Sequence, residues 1–193
     1  YEIPLRLVGS EMCIKRQSMD ISQDFFSCYG LSRDFAIDLD GLRQSHRRLQ
    51  QQHHPDRFVS QSDSDQRQAV QITAYLNQAY ATLSEPLKRG IYLLQLHGMD
   101  PLVPTNTSMP LDFLLQQIEQ QERLEDIHQA QDPETEMDTM AFELQTQASQ
   151  LETEFAQAYS STQLEAAETS VRKLQFIVKL QQQLNTLEGV LLD

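Results

Sequence analysis

The sequence has no tryptophan, only two cysteines and no uninterrupted run of more than four apolar residues. A membrane-spanning helix needs roughly 18 or more apolar residues, so the short runs argue against one. Cys13 and Cys28 are too few for a four-ligand zinc site or a disulfide framework. We therefore expect a cytoplasmic protein without a bound metal or cofactor.

Residues 1–18 lack the continuous apolar core of a secretory signal, because Arg6 interrupts the one candidate stretch, residues 3–8. Met19 has the properties of a natural start. We treat residues 1–18 as an N-terminal extension that need not be native, and we assign it no role.

The net charge of −13 is unevenly distributed. Residues 1–24 carry three basic and four acidic side chains, residues 25–98 carry eight and seven, and residues 99–193 carry four and seventeen. A near-neutral part joined to a strongly acidic part indicates two modules with different partners and argues against nucleic acid as the main one. Alternatively, the acidity only maintains solubility.

Helix breakers divide the chain where the charge changes. Gly98, Pro101, Pro104 and Pro110 make residues 99–110 unsuitable for a helix, and we place a linker there. Everything before the linker then forms one module, and everything after it forms a second.

The second module, residues 111–193, is rich in helix-forming residues. Two stretches place apolar residues at three- and four-residue spacing: Leu144, Ala148, Leu151, Phe155 and Ala158, and Leu164, Ala167, Val171, Leu174 and Val178. With a further helix over about residues 111–130, the pattern predicts a three-helix antiparallel bundle.

The first module is also helical, and we predict an all-α protein. Asp38 is a good N-cap for a helix that Pro55 must end. Its core stripe is Leu42, His46, Leu49 and His53; a second long helix follows with Ala69, Ile72, Leu76, Ala79 and Leu83. Pro86 begins a third, which stops at Gly98.

The tripeptide His54-Pro55-Asp56 lies in the turn between the two long helices. Together with residues 42–58 it resembles the second helix and signature loop of J domains. Phe25, Phe26 and residues 29–31 look like the first helix of that domain, and residues 77–80 with Leu83 look like the third. The resemblance implies a J domain over residues 19–98 that docks on a partner ATPase.

Helical geometry also indicates a binding surface. At 100° per residue from Leu42, one face at roughly 80° to 140° holds Arg43, Arg47, Gln50 and His54. Such a basic stripe fits an acidic partner surface, and the Asp56 carboxylate can accept hydrogen bonds from it. Without the resemblance, an ordinary turn beside a solvated face is the preferred explanation of these residues.

The remaining sequence is similar to the HscB-type iron–sulfur co-chaperones. The run Tyr92-Leu93-Leu94-Gln95-Leu96-His97-Gly98 resembles their domain junction, and Val171-Arg172-Lys173-Leu174 with Phe176 resembles their last helix. The sequence has no Gly/Phe-rich stretch and no cysteine-rich module after the J domain. A general J protein for unfolded clients remains the alternative.

The resemblance implies a co-chaperone that is not an enzyme. Its J domain would stimulate a DnaK-family ATPase of the HscA type, and its bundle would bring an IscU-type scaffold to that chaperone. The scaffold-binding face of the family maps onto Leu114, Leu115, Ile118, Glu119, Glu122, Asp126 and Phe176. We expect a monomer with no nucleic-acid or membrane partner.

Helical geometry places the first six of these residues within about 140° of arc and Phe176 opposite the core stripe of its helix, so we expect an exposed apolar patch rimmed by carboxylates. Phe113, Leu124 and Ile127 are then the core residues. The opposite interpretation, in which Leu111, Leu114, Leu115 and Ile118 form the core stripe, is equally compatible with the periodicity.

A metal-dependent enzyme is the third interpretation, with His46, His53, His54 and Asp56 as ligands. Adjacent residues such as His53 and His54 point to different faces of a helix, so they do not form a ligand set. His46 and His53 are better explained as packed, hydrogen-bonded histidines. No phosphate loop, nucleophile elbow or paired-carboxylate motif is present, and we predict no catalytic residue.

Overall fold

The computed structural model describes residues 20–102 and 109–192, with side chains described as far as residue 189. This part of the chain contains helices and no strand. The helices are α1 (Phe25–Cys28), α2 (Leu39–His53), α3 (Asp63–Ser84), α4 (Pro86–Leu96), α5 (Leu111–Glu125), α6 (Pro133–Ser160) and α7 (Leu164–Leu192). The prediction of an all-α protein with an N-terminal J domain and a C-terminal bundle is confirmed.

Short polar side chains cap the starts of α2 and α3, and the Asp38 cap is one that the sequence predicts. The Asp38 carboxylate accepts from the backbone N–H groups of Asp40 and Gly41 at the start of α2. Ser62 caps α3 in the same way, and Pro86 occupies the first turn of α4. The Asp38 and Ser62 side chains satisfy N–H groups that have no partner within their own helix, and Pro86 has no N–H to satisfy.

In the J domain, α2 and α3 form a hairpin and α1 and α4 cover it. The core residues of α3, Ala69, Ile72, Leu76, Ala79 and Leu83, are all buried as predicted. Tyr92 of α4 holds α1 in place: its hydroxyl accepts from the Phe25 N–H at 3.0 Å, and the two rings stack at 4.5 Å.

His46 is a packed core histidine, as predicted. Its Nδ1 lies 2.8 Å from the Tyr29 hydroxyl, and its ring stacks on Tyr80 with 4.3 Å between centroids. Burial lowers the pKa of His46, because an apolar site disfavours the imidazolium. The ring therefore has a structural role between α1, α2 and α3.

The C-terminal part is built on the long antiparallel pair α6 and α7. Its core residues are Leu124, Ile127, Met137, Met140, Leu144, Ala148, Leu151, Leu174, Ile177, Leu180 and Leu184. Helix α5 lies on this pair and ends at Glu125, earlier than the predicted residue 130. A 3-10 turn over Ile127–Gln129 follows, and it places Ile127 in the core.

The two parts share a core. Phe155, Ala158, Ala167 and Val171, from the ends of α6 and α7 that are joined by a short turn, belong to the same buried cluster as the J-domain residues. Phe35 of the J domain contacts Phe155 with 4.7 Å between ring centroids. The J domain is therefore packed against the bundle as well as being connected to it by the chain.

Gly90 of α4 lies close to the bundle. A Cβ at this position would lie 3.0 Å from Val171 Cγ2 and 3.4 Å from Phe155 Cζ. A larger side chain at residue 90 must therefore displace the α6–α7 hairpin. Along the described part of the chain, no helix is long and apolar enough to cross a membrane.

We expect Gly90→Leu to destabilise the protein by about 1 to 3 kcal/mol, because it overpacks this contact. Gly189→Leu is the matched control, since a Cβ at Gly189 has no neighbour within 4 Å and leucine favours a helix more than glycine does. Thermal unfolding followed by circular dichroism measures both. Equal melting temperatures for the two variants would contradict the tight contact.

Candidate functional site

The His54-Pro55-Asp56 loop lies at the exposed end of the α2–α3 hairpin. Pro55 ends α2, and His54 adopts φ −58° and ψ 130° before a 3-10 turn over Pro55–Phe58. The His54 Nδ1 accepts from the Asp56 N–H at 3.3 Å, which orients the ring over the turn. The Asp56 side chain remains 86% exposed, so its carboxylate is available to a partner.

Arg57 fixes the loop to the end of α2. Its Nη1 donates to the Gln51 carbonyl at 3.1 Å. This carbonyl is in the last turn of α2, where backbone oxygens lack helical partners and where a cation is favoured by the helix dipole. The loop is thus held from both sides of Pro55.

A groove of about 610 Å³ runs between α2 and α3 beside the loop. Its lining residues are polar or basic and comprise Arg47, Gln50, Gln51, His54, Arg57, Thr73 and Asn77. Gln50 forms the link between the helices, because its Nε2 donates to Asn77 Oδ1 at 2.8 Å. Sequence reasoning did not find Thr73 and Asn77, since they come from the opposite helix.

The predicted chaperone-binding residues fall into two groups. Arg47, Gln50 and His54 share the groove, whereas Arg43 lies one turn earlier and pairs with Asp40 at 3.4 Å. Arg43 and Arg47 are both exposed. They form a continuous basic surface on α2 that leads to the loop, and its role as a docking surface remains a prediction.

The proposed metal ligands do not come together. Within residues 20–102 and 109–192, no three His, Cys, Asp or Glu side chains are placed to hold a metal ion. His46 faces Tyr29 and Tyr80 in the core, whereas His54 lies at the surface. The geometry therefore provides no support for the enzyme interpretation.

A second candidate surface lies on α5. Leu114, Leu115 and Ile118 are 39%, 59% and 56% exposed. The acidic side chains Glu119, Glu122 and Asp126 are also exposed. The interpretation of these apolar residues as a core stripe is wrong, because the helix turns its other side to the bundle.

The buried side of α5 consists largely of glutamine. Gln117 and Gln120 are buried with Leu124, and the Gln120 Nε2 donates to Gln147 Oε1 of α6 at 3.1 Å. Arg123 adds a second link, with its Nε and Nη1 each 2.5 Å from the carboxylates of Glu136 and Glu143. Periodicity does not predict this arrangement, since glutamine is normally a surface residue.

We predicted that Phe176 is exposed, and the structure corrects this, because the side chain is half-buried. Its ring meets Phe113 edge to face at 6.3 Å between centroids. Phe113, predicted as core, is also half-buried, and the Lys173 Nζ lies 5.4 Å from its ring centroid. The two rings therefore pack against each other at the border between α5 and α7.

The chain is similar to known proteins of one family. Residues 109–185 match the family model described as the HSCB C-terminal oligomerisation domain. The co-chaperone protein HscB of Proteus mirabilis is 35% identical over 170 residues, which cover 88% of this chain and 98% of that protein. An HscB homologue of Chromobacterium violaceum is 48% identical over 107 residues, which cover 55% of this chain and 61% of that protein.

The fold is likewise similar to that of a solved structure. The chaperone HscB from Vibrio cholerae superposes with a TM-score of 0.79 at 31% identity, covering 88% of this chain and 99% of that one. The similarity thus includes the J domain and the bundle together.

We expect Leu115→Ala and Ile118→Ala each to change stability by no more than about 0.5 kcal/mol, because both side chains are exposed. Leu124→Ala on the same helix is the control and should cost about 2 to 5 kcal/mol, since it opens a cavity. Thermal melts of the three variants provide the test. If Ile118→Ala melts as early as Leu124→Ala, residue 118 belongs to the core.

Proposed function

The chain belongs to the HscB family, the co-chaperones of iron–sulfur cluster assembly, and we propose that it brings an IscU-type scaffold protein to a DnaK-family ATPase of the HscA type. One observation carries the proposal: the same molecule exposes the His54-Pro55-Asp56 loop and a separate acidic, apolar face on α5. Two surfaces of different chemistry suit two different partners. The proposed setting is the cytoplasm.

The proposed chaperone contact is electrostatic. Arg43 and Arg47 provide positive charge along α2, and Asp56 provides a carboxylate at the end of the same surface. Exposed charges of this kind attract and orient an oppositely charged partner, and they contribute more to the association rate than to final affinity. The proline-stiffened loop presents the carboxylate without a large entropy cost on binding.

We expect His54→Gln or Asp56→Asn to abolish stimulation of an HscA-type ATPase while leaving helicity and scaffold binding intact. Both side chains are exposed, so their replacement leaves no cavity. Asp63→Asn is the matched control, because it makes the same change at an exposed position in the first turn of α3. Single-turnover ATP hydrolysis with each variant gives the result, and normal stimulation by either loop variant would falsify the assignment.

A second test addresses the basic surface on α2. Replacing Arg43 and Arg47 with Glu should weaken stimulation of the HscA-type ATPase, and the loss should be largest at low salt. Salt screens the attraction between exposed charges, so this attraction contributes less as the salt concentration rises. The loop variants should instead be inactive at every salt concentration. A salt-independent loss in the Arg43→Glu/Arg47→Glu protein would contradict charge-based docking.

The proposed scaffold contact is on α5 and adjacent α7. Leu114, Leu115 and Ile118 form its apolar centre, and Glu119, Glu122 and Asp126 form its acidic rim. Phe176 contributes the accessible part of its ring beside Phe113. An apolar patch with a charged border is typical of a specific protein interface.

Alanine at Leu115 or Ile118 should reduce the affinity for a purified IscU-type scaffold by about tenfold or more, as expected for central apolar contacts. Isothermal titration measures the affinity, and an excess of a reduced, unfolded protein should not compete. Unchanged scaffold affinity in both variants would place the interface elsewhere. Competition by the unfolded protein would favour the general J-protein alternative.

The same apolar face is also open to a second copy of this chain, and the matching family model is described as an oligomerisation domain. We propose a monomer whose face is kept for the scaffold. Light scattering after size-exclusion chromatography distinguishes a monomer from a dimer. A dimer formed through α5 should dissociate in the Ile118→Ala variant. A wild-type monomer supports the scaffold as the occupant.

A further inference from the structure

The basic residues of the acidic half are concentrated at one place. Residues 99–193 contain four basic side chains, Arg123, Arg172, Lys173 and Lys179, and the last three lie within eight residues of α7. Arg123 is already held by Glu136 and Glu143. The basic charge on α7 is therefore a local reversal in a strongly acidic part of the protein.

Two of these three basic side chains on α7 already have partners within the protein. Arg172 pairs with Glu168 at 2.8 Å, with both side chains largely buried. The Lys173 ammonium lies over the Phe113 ring. Lys179 is exposed and has no ion pair with any residue in the described part of the chain, so its ammonium is available to a partner.

Lys179 lines a groove of about 390 Å³ between α7 and the beginning of α4. The lining residues include no carboxylate and are Leu87, Arg172, Gln175, Phe176, Val178, Lys179 and Gln182. Residues three and four apart on a helix lie on one face, so Gln175, Phe176 and Lys179 form a continuous wall. The groove thus combines apolar surface with amide donors and one free cation.

We propose that this groove, which we call the α4–α7 groove, binds an acidic segment of the same scaffold protein that covers the α5 face. The inference rests on the proposed function and extends its contact surface. A carboxylate of the scaffold pairs with Lys179, while an adjacent apolar side chain packs on Leu87 and Phe176. The glutamines at the groove wall donate to the remaining carboxylate oxygens.

Phe176 makes the two surfaces continuous. One edge of its ring lies against Phe113 of α5, and the same side chain lines the groove beside Leu87. A scaffold that covers the accessible ring can therefore extend from α5 into the groove and reach Lys179, while its contacts farther along α5 include acidic side chains. A surface with acidic side chains at one end and a basic side chain at the other fixes the orientation of a partner. Docking in the reversed orientation would place like charges opposite each other.

Two charge reversals of opposite sign test this arrangement. Lys179→Glu makes the protein more negative by two charges, and Glu119→Lys makes it more positive by two. If only the overall charge mattered, the two variants would change scaffold affinity in opposite directions. We expect both to weaken binding of a purified IscU-type scaffold, each by about three- to tenfold at low salt.

Arg67→Glu is the matched control for Lys179→Glu, because Arg67 is exposed on α3 and lines neither the groove nor the α5 face. It should leave scaffold affinity within about twofold of the wild type, and Lys179→Gln should weaken binding less than Lys179→Glu does. Thermal melts establish that each variant folds. The titrations are repeated at two salt concentrations, and the loss in Lys179→Glu should diminish at the higher one.

The outcomes separate this inference from the proposed function. Unchanged or tighter binding by Lys179→Glu, together with weakened binding by Ile118→Ala, overturns the groove and leaves the α5 face intact. Unchanged affinity in both variants overturns both assignments, as does a wild-type protein that does not bind the scaffold. A loss in Arg67→Glu equal to that in Lys179→Glu also overturns the groove, since the effect is then nonlocal.

Discussion

The packing of α4 against the α6–α7 hairpin determines how every functional surface of this protein is placed. Gly90 allows the helices to approach because it has no side chain to displace Val171 or Phe155. The J-domain core then continues into the bundle without a solvent layer. As a result, the loop at one end and α5 at the other are held on one frame.

A buried arginine lies at the same junction. Arg89 is 5% exposed, and burial lowers its pKa, which expresses the cost of removing a cation from water. Its Nη1 donates to the Leu83 carbonyl at 2.5 Å, in the last turn of α3, and its guanidinium lies 4.8 Å from the Phe35 ring centroid. The cation thus meets a helix C-terminus and an aromatic face, which offset part of that cost.

Local rules in the sequence account for much of the fold. The caps, the prolines and the apolar spacing of α3 and α6 predict helices whose buried faces the structure contains. On α7 the predicted stripe is partly wrong, because Val178 is only partly buried and Ile177 is in the core. What they cannot predict depends on contacts between distant residues. The burial of Gln120 requires Gln147 from another helix, and the half-burial of Phe176 requires Phe113. The core shared by the J domain and the bundle was not predicted either. Periodicity shows that a helix face is apolar, but it does not identify the helix against which that face packs.

The candidate site follows the same division. The position of His54-Pro55-Asp56 follows from the helix pattern around it, and the exposed side of α5 is expected from the family resemblance, since periodicity leaves two faces open. The groove residues Thr73 and Leu87 come from neighbouring helices. The proposed chaperone-binding surface at the loop and the proposed scaffold-binding surface on α5 and α7 share no residue, so no single side chain contacts both partners. Any coupling must change an equilibrium of the protein that both partners sense differently. Leu87, in the first turn of α4, packs against both cores and lines the groove beside Phe176, so the J-domain core is in contact with the wall of that groove.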